Sequence, residues 1–174
     1  MEESKMDTFE FFRRLMAAAH RQLDASMKDT TAEQFNWAPE GTANPISATF
    51  IHCLNSEDFF VQVILQGKRL LWEEDDCMEK TGVKKTPGYG GGWEEFKHMH
   101  VEMGPLQDYQ QTVWAATDVY LQTLTPDDLE RKVKFAGGER SVADMLILSA
   151  SHTLSHAGEI SALKGVQGVK GLPY

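Results

Sequence analysis

Twenty-five residues from Ser141 to Gly165 read as one long helix, and the rest of the chain has to supply the surface it packs against. Ser141 and Asp144 have the form of a capping box at its start, apolar positions follow at helical spacing, and Gly165 is a natural stop. Inside it stands His152-Thr153-Leu154-Ser155-His156-Ala157-Gly158-Glu159. A separation of four residues puts the imidazoles of His152 and His156 one turn apart on one face, close enough to share a single cation. The zincin motif is a different arrangement, because Thr153 stands where its glutamate base would be. Such pairs also arise by accident on helix surfaces, so a metal site needs a further donor from another part of the chain.

Other segments have the same periodicity. Phe9, Phe12, Met16, Ala19, Leu23 and Met27 climb by three or four residues and predict an amphipathic helix from about Thr8 to Met27. His20 lies beside that stripe and reads as a boundary or surface histidine, with a ligand or supporting role as the alternative. Breakers between Asp29 and Pro45 forbid a continuous helix there, although Thr31 to Gln34 can form a short capped turn with Phe35 and Trp37 tucked onto the core. Ser47 then reads as the N-cap of a second long helix running to Gly67, with His52 in its second turn.

Glu94 to about Leu124 is helical in character but interrupted at Gly104-Pro105, which predicts a kinked helix or a short one followed by a longer one. His98 and His100 are two apart, point to different sides of a helix and belong to the surface. Thr125-Pro126-Asp127-Asp128 has the form of a capped turn with proline first, and Lys132 to Phe135 alternates into Gly137-Gly138, predicting a brief extended excursion or hairpin. The acidic run Trp72 to Asp76 reads as solvated, since it lacks the alternation and central glycine of a calcium loop. Thr86 to Gly92 is a flexible connection without the ending of a phosphate-binding loop; its functional alternative is a lid carrying Tyr89 and Trp93.

With 174 residues and 41% hydrophobic content, the chain suits one domain, residues 1–174, of the all-α class. A formal net charge of −9 without a basic stripe argues against nucleic-acid binding. The charged start Met1 to Asp7 leads into no apolar run, and no stretch is long enough to span a membrane, so a cytoplasmic protein with no membrane partner is expected. Cys53 and Cys77 are expected to be thiols, with Cys53 serving packing.

His52 is the natural further donor to the His152/His156 pair, since helices of a bundle bring distant side chains to one point. Three neutral imidazoles leave a cation one or more open positions, the arrangement of catalytic rather than structural zinc sites. In such a site bound water can ionise near pH 7, or a thiol can be held as thiolate. Glu159 falls near the same face and can orient a ligand, shuttle a proton or bridge to Lys164; Ser149 is a weaker candidate for a supporting role. Imidazoles suit zinc, nickel, copper and iron alike. The competing reading is a plain bundle whose histidines are structural.

Asn36-Trp37-Ala38-Pro39, the segment Ser47 to Leu65 with His52 early in it, and the ending His152 to Ile160 followed by Leu163-Lys164-Gly165 resemble the DinB/YfiT-like superfamily. The resemblance implies a four-helix bundle with long crossover connections, with the metal ligands at His52, His152 and His156 and the divalent ion most often zinc or nickel. It implies a homodimer, as is common among relatives. Some relatives transfer or isomerise with small thiols such as bacillithiol or mycothiol, and others are labelled metal-dependent hydrolases. The expectation is therefore a metal-dependent enzyme acting on a small molecule, of thiol-dependent S-transferase or hydrolase type, with Glu159 in a supporting or proton-shuttling role. The alternative is a non-catalytic metal-binding or ligand-sensing bundle. The family pattern often carries Gln at the position of Glu159, so no fixed role is carried over to it.

Overall fold

Asp7 begins the first helix, α1 (Thr8–Met27): its side chain accepts from the Glu10 backbone N–H at 2.6 Å and satisfies a donor that the helix cannot. The computed structural model describes residues 7–74, 76–88 and 91–172. A short α2 (Ala32–Asn36) follows, held by the reciprocal Thr31/Gln34 capping box, with Phe35 fully buried beneath it. Next comes α3 (Ile46–Asp58), which continues as a π-helical segment over Phe59–Leu65. Two short helices, α4 (Leu71–Glu74) and α5 (Cys77–Thr81), and a 3-10 turn at Glu94–His98 lie between that segment and α6 (Met103–Thr123). A further short helix, α7 (Pro126–Glu130), and a hairpin, β1 (Lys132–Phe135) with β2 (Gly138–Ser141), lead into α8 (Val142–Val166).

The long helices close a ring. α8 packs on α1 and on α3, and α6 packs on both of these in turn. This is an all-α four-helix bundle with long crossovers, the longest being residues 66–102. Asp58 anchors that crossover: its carboxylate accepts from the backbone N–H of Leu71 and Trp72 at the start of α4 and from the Tyr109 hydroxyl of α6 at 2.7 Å. Burial pushes the Asp58 carboxyl above its ordinary range, and the Tyr109 hydrogen bond opposes that shift. Among the described residues no helix is long and apolar enough to cross a membrane.

The hairpin anticipated between Lys132 and Gly138 is present, with Phe135 paired to Gly138 and positive φ at both Ala136 and Gly137. That is the two-residue turn whose twist matches antiparallel strands. Ser141 ends β2 and caps α8, accepting from the Asp144 N–H at 3.0 Å, so the hairpin feeds the chain directly into the last helix. The short helix at Pro126 has its Thr125/Asp128 box.

Of the two arrangements expected around Gly104-Pro105, the short helix followed by a longer one is found: the 3-10 turn at Glu94–His98 precedes α6, and the pair sits in the first turn of α6, where the N–H that proline lacks has no intrahelical partner. Three details differ from the sequence reading. Ser47 is not a cap; the helix starts at Ile46, two residues earlier than a cap at Ser47 would place it, Pro45 with its fixed φ stands at the cap position, and Ser47 turns into the core. Gly165 does not stop α8. Gly168 does: it adopts φ +78°, its N–H bonds to Gly165 and that of Val169 to Lys164, the pairing of a Schellman motif. Finally, His20 is no surface residue, being 7% exposed.

His20 belongs to a polar layer that divides the core. One apolar half gathers Leu23, Phe50, Leu54, Val113 and Ile160; the other gathers Met16, Phe60, Leu121, Met145 and Leu146. Between them His20 Nε2 lies 2.9 Å from a carboxylate oxygen of Glu57, the Thr117 hydroxyl donates to the same group at 2.7 Å, and the His20 ring stacks on Trp114 at 4.3 Å. Removing one partner strands a buried polar group, whereas replacing both by apolar residues of similar shape does not. Glu57→Ala is therefore expected to cost about 2–3 kcal/mol in urea unfolding. The double variant His20→Phe/Glu57→Leu is expected to be more stable than the single, and equal losses in both would show that the pairing is unimportant.

Candidate metal centre

His52 reaches the interior from the second turn of α3, and His152 and His156 reach it from successive turns of α8, so the packing of these two helices brings the three rings together. The Nε2 atoms of His52 and His152 are 3.2 Å apart, as are those of His152 and His156, and all three lie within 4.8 Å of one another. Among the described residues no second cluster of this kind occurs.

The outer ring nitrogens decide what the inner ones can do. His52 Nδ1 lies 2.9 Å from the Pro87 carbonyl, which can only accept, so Nδ1 carries the proton and Nε2 a lone pair. His156 Nδ1 lies 2.8 Å from the Glu159 carboxylate, with the same consequence. His152 Nε2 faces both lone pairs, and a single proton on it can satisfy only one of the two 3.2 Å contacts. A cation at the centre satisfies all three. Zinc–imidazole bonds of about 2.0–2.1 Å arranged tetrahedrally require nitrogens about 3.3–3.4 Å apart, close to the 3.2 Å of the two pairs that include His152, and with all three donors within 4.8 Å the set can hold a small divalent ion.

The rings of His52 and His152 are held neutral. Burial is the largest influence on both His52 and His152, and with the neighbouring imidazoles it pulls His152 from 6.5 to about 3. For His52 the Pro87 hydrogen bond opposes the shift. Glu159 is held below its ordinary range, chiefly by its hydrogen bond with His156, so it remains a carboxylate facing a ligand's far side. The bridge from Glu159 to Lys164 is not formed. Lys164 instead lies buried with its ammonium donating to the backbone carbonyls of Ser26 and Lys28, where it completes the end of α1.

A cleft of about 810 Å³ opens beside His52 and His152. Phe59 and Phe60 line it from the π-helical turn, Phe135 and Lys134 from the hairpin, and Leu148 from α8. Hydrogen bonds of the i→i+5 type widen the turn, which sets Phe59 and Ile64, five residues apart, on the same side of the helix. Trp93 packs over His52 at 4.8 Å and donates to the Gly88 carbonyl at 3.1 Å, so the Thr86 to Trp93 connection does reach the site; Tyr89 lies outside the described residues, as do Met1 to Met6 and Asp75.

Other sequence candidates are elsewhere. His98 and His100 are exposed, the latter 3.5 Å from Glu102. Ser149 is buried and does not line the cleft. Cys53 and Cys77 are buried thiols, and burial pushes the Cys53 thiol up, away from the thiolate a nucleophile or ligand requires. Sequence reading missed the Pro87 carbonyl and the hairpin wall. Neither has a signal in residue type, since a backbone carbonyl is common to all residues and Lys134 reads as an ordinary strand lysine.

Comparison with known proteins agrees with this architecture. A solved structure described as a conserved protein from Enterococcus faecalis superposes with a TM-score of 0.78 at 18% identity, covering 94% of this chain and 99% of that one, which establishes likeness of fold. No match is found among curated proteins. The model of the DinB superfamily matches residues 15–160, a span that covers most of the bundle and all three converging histidines, and the chain therefore belongs to the DinB superfamily.

Proposed function

We propose that this protein is a metal-dependent enzyme acting on a small molecule, of S-transferase or hydrolase type, with His52, His152 and His156 holding zinc or nickel. The observation that supports it most is the convergence of three Nε2 atoms, two of them fixed as lone-pair donors by Pro87 and Glu159, beside an open cleft. A divalent ion held there supplies Lewis acidity, which makes a water molecule or a small thiol acidic near neutral pH.

The chain's own residues do the rest. Glu159, held as a carboxylate, keeps His156 in the tautomer that coordinates. Pro87 does the same for His52 through a backbone carbonyl, so no side-chain replacement at that position removes the acceptor. Phe60 packs edge-on against His152 at 5.7 Å and, with Trp93 over His52, limits solvent at the ring edges. Access remains from the cleft side, where a substrate meets His52 and His152.

His156→Ala is expected to abolish stoichiometric zinc or nickel, measured by elemental analysis, together with turnover of activated esters or of electrophiles in the presence of a small thiol. Activity persisting in the metal-free variant would refute the mechanism, and a dependence on added thiol separates the transferase from the hydrolase. Glu159→Ala is expected to weaken metal binding by about 10–100-fold in a competition titration with a chelator, whereas Glu159→Gln, whose amide oxygen still accepts, loses much less.

The apoprotein has a pH signature. At pH above about 6.5 His52 and His152 are neutral in both folded and unfolded chains. Below it the unfolded chain takes up protons that His52 and His152 refuse, so folding stability falls as pH drops from about 6.5 towards the His152 value of about 3. Thermal unfolding of the metal-free protein should show this decline, and His152→Gln should flatten it between pH 6.5 and pH 5; identical slopes would contradict a buried neutral imidazole.

A further inference from the structure

The cleft has a charge pattern that metal binding leaves unused. Phe59, Phe60, Phe135 and Leu148 make its walls apolar, and Lys134 is the one lysine, arginine, aspartate or glutamate among the residues that line it. Lys134 is exposed and forms no ion pair among the described residues, although Glu139 stands opposite it in the hairpin register. In a chain of formal net charge −9, an unpaired ammonium beside an apolar cavity is a local reversal of the prevailing field and favours anions there. The cavity, at about 810 Å³, is in the size range of small-molecule sites, which run to about 1,000 Å³.

We propose that the cleft binds a small organic anion with an aromatic or branched apolar body, its charge held by Lys134 and its body lodged among Phe59, Phe60 and Phe135. The far end of such a molecule meets His52 and His152. That last placement rests on the metal function proposed above, whereas the preference for an apolar anion does not. The parts of the site divide the work: the π-helical turn supplies aromatic surface, the hairpin supplies both a ring and the cation, and α8 supplies Leu148. Burial of the body provides affinity, and the ammonium provides selection between ligands of the same shape.

The test is a fluorescence titration of the full-length, zinc-supplemented protein with anilinonaphthalene sulfonate and with its uncharged parent, phenylnaphthylamine. The sulfonate is expected to bind at one site and about three- to tenfold more tightly than the neutral probe, the range for one partly exposed charge-assisted contact. Lys134→Gln should level the two affinities while leaving that for the neutral probe unchanged. Ser56→Phe, which adds bulk inside the cleft, should remove both, with circular dichroism confirming that the variant is folded; Phe59→Ala, at a half-exposed position, should weaken both alike. Equal affinities in the unmodified protein, a preference that survives Lys134→Gln, or binding that survives Ser56→Phe would each overturn the proposal. His156 does not line the cleft, so His156→Gln is expected to lose zinc and keep the probe selectivity. In the unmodified protein, probe selectivity without bound zinc would refute the metal function alone, and zinc retention without selectivity would refute the ligand preference alone.

Discussion

Two helices from distant parts of the chain approach closely enough for nitrogens a hundred residues apart to stand 3.2 Å from one another, and the rest of the architecture follows from making that approach hold. The buried face of α8 carries Ser149, Ala150, Thr153 and Ala157 at the level of the site, while α3 presents Ala48, Thr49 and Cys53. Helix separation depends on the side chains at the contact, so small residues at this level permit a short distance and larger ones above and below fill the core. The crossovers then serve as braces. Pro87 fixes one ring from outside the bundle, and Asp58, a few residues further along α3, fixes the crossover that carries Pro87.

The same level of the bundle is polar on its other side as well. His20, Glu57 and Thr117 form a satisfied buried group between two apolar clusters, with Trp114 stacked against it. Such a layer contributes little net stability compared with an apolar core, but every displaced register breaks it, so it favours one vertical alignment of α1, α3 and α6. Since α3 carries both Glu57 and His52, the alignment that satisfies Glu57 also sets the height of His52 against α8.

Much of this was legible in the sequence where the signal is periodic. The spacing of Phe12, Met16 and Leu23, the Ser141/Asp144 and Thr125/Asp128 boxes, and the four-residue step between His152 and His156 all report local geometry that the fold retains. The failures have a common physical origin. Ser47 and His20 are polar residues that the core accepts, and a linear pattern shows neither the Glu57 carboxylate that meets the His20 ring nor the start of α3 at Pro45, which carries Ser47 inward. Gly165 and Gly168 are equally good stops by composition; the choice depends on which one can take positive φ while the following N–H groups find carbonyls. The cleft was wholly hidden, because its walls come from a helix of unusual pitch, a hairpin and α8, and no single stretch of chain records their meeting.

The π-helical stretch at Phe59–Leu65 has a consequence for how this bundle can vary. An α-helix that gains one residue resets the direction of everything beyond it by about 100°, unless the extra residue is absorbed in a widened turn. Absorbed here, it leaves His52 and Glu57 on the upstream turns undisturbed while shifting which side chains the widened turn itself offers to the cleft. Gain or loss of a single residue in this turn can therefore reshape what the cavity accepts without moving the ring nitrogens. Chemistry and selectivity sit on one continuous rod, yet the pitch change between them lets each be altered separately.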